Sequence, residues 1–166
     1  MSCCGSKSFC VQVACGGGGN PCQSTINQAL AAFSAFRAGN IPQFLGFTAP
    51  GFTFTFQGSP PIPFGGTFTG AAGFAAFLAL LADSIVGPFV VGPQIDVTTN
   101  STCTRVDLVD FPVTITLRCP GSGIAGPTLT LTTLLTVTFA GGLIDSIELF
   151  QDTSQLALFY DGCAAA

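Results

Sequence analysis

Eight cysteines carry the most reactive side chains of this 166-residue chain: Cys3, Cys4, Cys10, Cys15, Cys22, Cys103, Cys119 and Cys163. Thiols at this density serve metal ligation, redox exchange or covalent cross-linking. Five lie in the opening stretch MSCCGSKSFCVQVACGGGGNPC, none of them set as C-x-x-C, and the chain has no histidine. Structural zinc favours paired short spacings, and the ferredoxin-type cluster runs are absent, so neither a metal nor another cofactor is expected. Redox catalysis calls for C-x-x-C or a basic neighbour that lowers a thiol pKa, and Lys7 alone offers little. Disulfides are the remaining use, and they imply an oxidising final environment.

Adjacent Cys3 and Cys4 cannot readily close a useful loop on each other, so their side chains reach separate partners. The four glycines at 16–19 supply reach. The reading is a cysteine- and glycine-rich connector arm, 1–22, followed by a folded domain, 23–166. All eight cysteines are candidates for intersubunit disulfides, with Cys103, Cys119 and Cys163 as acceptors on the body. An intramolecular knot within the arm, or reduced thiols, is the plainer alternative. Cys103 and Cys119 leave two possibilities open. On one continuous strand they stand roughly 50 Å apart and cannot bond; with a turn at 110–112 they face each other and can.

Carboxylates are the second source of chemistry. Asp96, Asp107, Asp110 and Asp145 fall on or beside expected strands, where one turned inward would serve as a base. Asp152 reads better as a strand-end turn former. Without histidine the commonest general base is missing, and the single tyrosine, Tyr160, lies near the C-terminus. No catalytic residue is assigned. Asn100-Ser101-Thr102 is formally a glycosylation sequon, a pattern frequent by chance.

Only 7% of residues are charged, against about 25% in an average domain. With a mean hydropathy of +0.64 the composition excludes charge-driven disorder. Four scattered basic residues exclude a phosphate-neutralising nucleic-acid surface. The longest apolar run, 71–82, stops at Asp83 after 12 residues, where a membrane span needs about 20. The N-terminus lacks the basic and apolar regions of a Sec-type signal peptide. A surface so poor in charge is better covered by other subunits than left in water.

Around these residues the periodicity predicts a helix from Ser24 with Ile26, Leu30, Phe33 and Phe36 on its buried face, stopped at Gly39-Asn40. A short helical turn follows at 42–45. Phe52-Thr53-Phe54-Thr55-Phe56 alternates strictly and predicts a strand; a shorter one covers 67–69 and a helix about 71–85. Four strands fill about 89–98, 103–119, 127–139 and 143–151, with Asn100-Ser101 and Gly141-Gly142 as turn signals. In the third of these, Thr128, Thr130, Thr132, Thr136 and Thr138 share one parity, while Leu129, Leu131, Leu135, Val137 and Phe139 share the other. A short final segment covers 153–160.

Three stretches, AFRAGN at 35–40, GGTFTGAAGFAAFLALL at 65–81 and LTVTFAGGLIDSIELFQD at 135–152, give the chain a resemblance over 24–152 to the SnoaL-like polyketide cyclases, ketosteroid isomerases and nuclear transport factor 2. That resemblance implies an α+β cone, a curved antiparallel sheet wrapped around N-terminal helices; a β-sandwich or jelly roll is the alternative. Ketosteroid isomerases work with an Asp base and an oxyanion hole of Tyr and protonated Asp. The first helix here has Phe33 and Phe36 where a tyrosine would be wanted. Seventeen phenylalanines are expected to fill the cone and leave a scaffold rather than an enzyme.

The functional expectation is therefore a structural, self-assembling subunit of a disulfide-cross-linked filament or fibre, its partners other copies of itself. Cysteine-bearing connectors of endospore appendages resemble this arrangement. The setting would be extracellular or a cell or spore surface. The alternative is a SnoaL-like isomerase, cyclase or binder of an apolar small molecule.

Overall fold

A computed structural model describes residues 20–58, 60–94 and 96–164. Helix α1 (Gln23–Arg37) starts directly after Cys22 and buries Ala29, Ala32, Phe33 and Ala35. Ile26, Leu30 and Phe36 are only half-buried, so the inward face is turned from the expected one towards the alanines. Alanine adds no bulk beyond Cβ and lets the helix backbone approach the sheet, while the larger side chains fan out along the flanks. Gly39 takes φ 70°, which frees the chain to turn. Asn40 Oδ1 then accepts from the Gln43 amide and caps α2 (Ile41–Leu45).

Strand β1 (Thr48–Phe56) points Phe52, Phe54 and Phe56 inward, as alternation requires. It pairs antiparallel with β2 (Gly66–Thr69), which leads into α3 (Gly70–Ser84) with Phe74, Phe77 and Leu81 buried. The last carbonyls of α3 lack partners within the helix, and the Arg118 guanidinium donates to those of Ala82 and Asp83.

The single strand expected at 89–98 is two pieces, β3 (Val90–Val91) and β4 (Asp96–Thr99). Pro93 between them has no N–H to offer a ladder. Both pieces pair with β5 (Arg105–Arg118), which bulges at 109–110, where Asp110 takes φ 54°, and shifts register against β6 again between Thr116 and Arg118. Strands β6 (Ala125–Ala140) and β7 (Leu143–Gln151) follow, and the final segment is a helix, α4 (Ser154–Ala164).

The strand order is β2-β1-β7-β6-β5-β3, with β4 also on β5, and β1 runs parallel to β7. One curved, unclosed sheet wraps the helices, an α+β cone and not the two-sheet jelly roll. On β6 the expected parity holds over most of the strand: Leu131, Leu135, Val137 and Phe139 are buried, and Thr128, Thr130 and Thr132 are exposed, but Thr136 departs from it, buried with its hydroxyl on Asp107. Thr114 meets Thr130, and Thr116 meets Thr128, through hydroxyl pairs on that outer face.

Two disulfides staple the ends of this body. Cys22 bonds Cys103, and Cys119 bonds Cys163. These four cysteines are thus paired within one chain, which corrects their expected intersubunit role. The reason is topological. A continuous β5 holds Cys103 and Cys119 beyond opposite ends, so each meets a different helix: Cys103 the start of α1, Cys119 the end of α4. Cys3, Cys4, Cys10 and Cys15 lie outside the described residues. No described helix is long and apolar enough to cross a membrane.

Candidate ligand cavity

The inward side chains of β1, β5, β6 and β7 and the facing sides of α1, α2 and α3 do not meet completely. Between them lies a cavity of about 70 Å³, counted as space open to the centres of water-sized molecules. One water needs about 10–15 Å³ on that measure, so there is room for a group of several atoms. The expectation of a cone filled by phenylalanine is therefore corrected. Rings such as Phe33 and Phe111, with centroids 4.9 Å apart, or Phe54 and Phe77, 4.5 Å apart, prefer edge-on or tilted contacts. Rings packed this way stand along the wall and enclose space instead of closing it.

The lining is almost entirely hydrocarbon. Phe44, Phe56, Phe64, Phe74 and Phe77 come from β1, the helices and the loop before β2, and Val113, Ile115, Leu135, Val137, Ile144 and Ile147 from the long strands. Phe36, Phe89, Val91 and Leu149 line it while remaining partly exposed. Arg37 donates to the Val91 carbonyl at 3.1 Å and holds β3 against the end of α1. Among the lining residues Gln151 alone has a polar side chain. Its Nε2 donates to Thr133 Oγ1 at 2.8 Å, and Thr133 is 1% exposed.

Neither Gln151 nor Thr133 was singled out from the sequence, although a signal existed. Thr133 is a threonine on the apolar parity of β6, and Gln151 ends the inward series Ile147, Leu149 on β7. The register sets them directly opposite each other.

The carboxylates expected as candidates lie elsewhere. Asp96, Asp110 and Asp145 are exposed. Asp107 is half-buried outside the cavity lining, bound to Arg105 Nε at 3.0 Å and accepting from the Thr136 hydroxyl at 2.7 Å. Asp152 accepts from the Ser154 amide at the start of α4, and that bond holds its pKa below the usual carboxylate value. Tyr160 is buried against Phe64 and donates to the Ser84 carbonyl, with burial pushing its pKa up to about 12. Asn100 of the sequon is engaged at both ends of its amide: Oδ1 accepts from the Thr104 and Arg105 backbones, and Nδ2 donates to Thr102 and Thr104 hydroxyls. It is a turn-former of the Asx kind. No cluster of three or more metal-ligating side chains occurs among the described residues.

This architecture is the SnoaL-like cone shared with nuclear-transport-factor-2-like proteins. No family model matches the chain, and no curated protein does. Solved structures do. TerC, co-crystallised with polyporic acid, superposes with a TM-score of 0.64 at 23% identity, over 83% of this chain and 98% of TerC. A protein from Jannaschia sp. CCS1, provisionally named a SnoaL-like polyketide cyclase, gives 0.64 at 19% identity, over 87% and 95%. One from Xanthomonas campestris pv. campestris, provisionally named a polyketide cyclase, gives 0.63 at 22%, over 83% and 97%. Identities this low establish the fold. They also correct the expectation of a chain without enzymatic role, since proteins bearing enzyme names share this cone and its interior here is open.

Proposed function

We propose that this chain takes an apolar small molecule into the cone and acts on it as a SnoaL-like isomerase or cyclase, or carries it as a binder. The observation behind this reading is the cavity itself: hydrocarbon walls, one polar side chain and partly exposed residues along its edge. Apolar burial supplies affinity at roughly 25 cal/mol per Å². Such walls favour a reaction that profits from confinement, in which a flexible substrate is held folded with its reacting atoms together and water kept out. Ring closure and double-bond migration in an apolar skeleton are reactions of that kind. The names of the structural neighbours agree with this class.

The filament reading yields to this one because four of its eight cross-link candidates are paired inside one chain. We keep the division into an arm, 1–22, and a body, 23–166, with Cys22 serving the body through its bond to Cys103. The two disulfides suit an oxidising environment, and we propose an extracellular or cell-surface setting.

Thermal unfolding of the oxidised chain with polyporic acid and a panel of aromatic and polycyclic compounds tests the proposal. At least one compound should raise the melting temperature saturably, and Ala32→Phe, which fills the cavity from α1, should remove the effect. A melting temperature unmoved by every compound overturns the reading.

A further inference from the structure

The hydrogen-bond polarity of the Gln151–Thr133 pair specifies more about the ligand than its apolar character. This inference rests on the cavity reading above and concerns which ligands the cavity prefers.

Thr133 faces Gln151 across the β6–β7 ladder and is almost wholly buried. Its hydroxyl donates to the Leu131 carbonyl at 3.3 Å. A hydroxyl has a single hydrogen, so with that hydrogen directed at Leu131, Thr133 Oγ1 can only accept from its other neighbour. The neighbour at 2.8 Å is Gln151 Nε2. The buried threonine thus turns the amide nitrogen towards the sheet. No described residue donates to Gln151 Oε1, and no buried side-chain polar atom among the described residues lacks a partner. Oε1 therefore opens onto accessible space and is not sealed into packed wall. The nitrogen end already holds a bond, while the oxygen end accepts none from the described residues.

We propose that the cavity selects apolar ligands carrying one hydrogen-bond donor, a phenol, enol or alcohol, which donates to Gln151 Oε1. A ligand that fills the cavity covers Oε1 and displaces water from it, and an acceptor buried without a donor costs more than a met one gains, so discrimination should be strong for a single contact. Pure hydrocarbons leave Oε1 unpaired. Ketones and carboxylates bring another acceptor to it. Gln151 sets orientation as well, because the donor must lie at the β7 end of the cavity with the rest of the skeleton among the phenylalanines.

Four probes of nearly equal size test this on the full, oxidised chain: naphthalene, β-naphthol, its methyl ether and methyl β-naphthyl ketone. The protein has no tryptophan, so naphthol fluorescence can be followed directly, and calorimetry serves for the others. β-Naphthol should bind about fivefold or more tightly than its methyl ether and the ketone. Gln151→Leu should keep naphthalene binding and erase the naphthol advantage. Thr133→Val frees the amide to turn over, and the preference for naphthol over the ketone should shrink. If the ketone binds as tightly as naphthol, or naphthol shows no advantage over its ether while naphthalene binds, the donor rule falls and the cavity reading survives. If none of the four binds, the donor rule falls, and the melting-temperature panel decides the cavity reading.

Discussion

Tyr160 donates its phenolic hydrogen to the Ser84 carbonyl oxygen across 2.7 Å and so joins α4 to the end of α3. Both residues are buried, at 2% and 0% exposure. Burial raises the phenol's pKa from 10.0 to about 12. A raised pKa means the folded protein retains this proton where the unfolded chain loses it. The contribution is complete below pH 10 and disappears as pH climbs through about 12. Urea titrations at pH 9 and just under pH 12 should show stability falling, and Tyr160→Phe should flatten that fall while costing about 1–2 kcal/mol at neutral pH. An unchanged slope in the variant places the titrating group elsewhere.

The two disulfides should differ in their response to reductant. Cys22 is 3% exposed and shields one side of its bridge to half-buried Cys103, whereas Cys119 and Cys163 are both half-buried. A dithiol should therefore open Cys119–Cys163 first, read by stepwise alkylation and peptide mass spectrometry. Replacing both by serine should cost about 2–4 kcal/mol, for a bridge spanning 44 residues. Opening of Cys22–Cys103 ahead of the other would contradict this order.

Gly65 lies against the Gly58 backbone, where an added Cβ would strike the Gly58 carbonyl. Backbone cannot swing aside as a side-chain tip can. Gly65→Ala should therefore cost about 2 kcal/mol or more in chemical denaturation. It should also weaken ligand binding, because adjacent Phe64 lines the cavity. A loss under about 0.5 kcal/mol would show the two segments part without strain.

Asp110 holds φ 54° at the β5 bulge, a conformation that glycine adopts without steric cost. Asp110→Gly should be neutral or stabilising by up to about 1 kcal/mol, and Asp110→Val destabilising by about 1–2 kcal/mol. The pair of melting curves decides it; equal values for the two variants would remove the bulge as a constraint.

Local pattern was enough for most elements. Phe52, Phe54 and Phe56 alternate because a strand turns successive side chains to opposite faces, and the Thr/Leu parity of β6 follows the same rule. Gly39 and the Gly141-Gly142 pair break the chain where backbone geometry demands it. The helical nature of 154–164 is less legible, because only Leu156 and Tyr160 of its described side chains are fully buried, and two residues set no clear period.

What the sequence determined by itself was this set of elements, an apolar inward face and a charge-poor, cysteine-rich composition, since periodicity and composition are properties of neighbouring residues. Only the tertiary structure decided that α1 turns its alanines inward, that the cone stays open, and that Cys103 and Cys119 bond helices rather than each other. It also placed Thr133 opposite Gln151, across 18 residues of chain. Each depends on which strands lie side by side and in what register. Those relations arise from packing between segments distant in sequence, and one-residue shifts would reverse them.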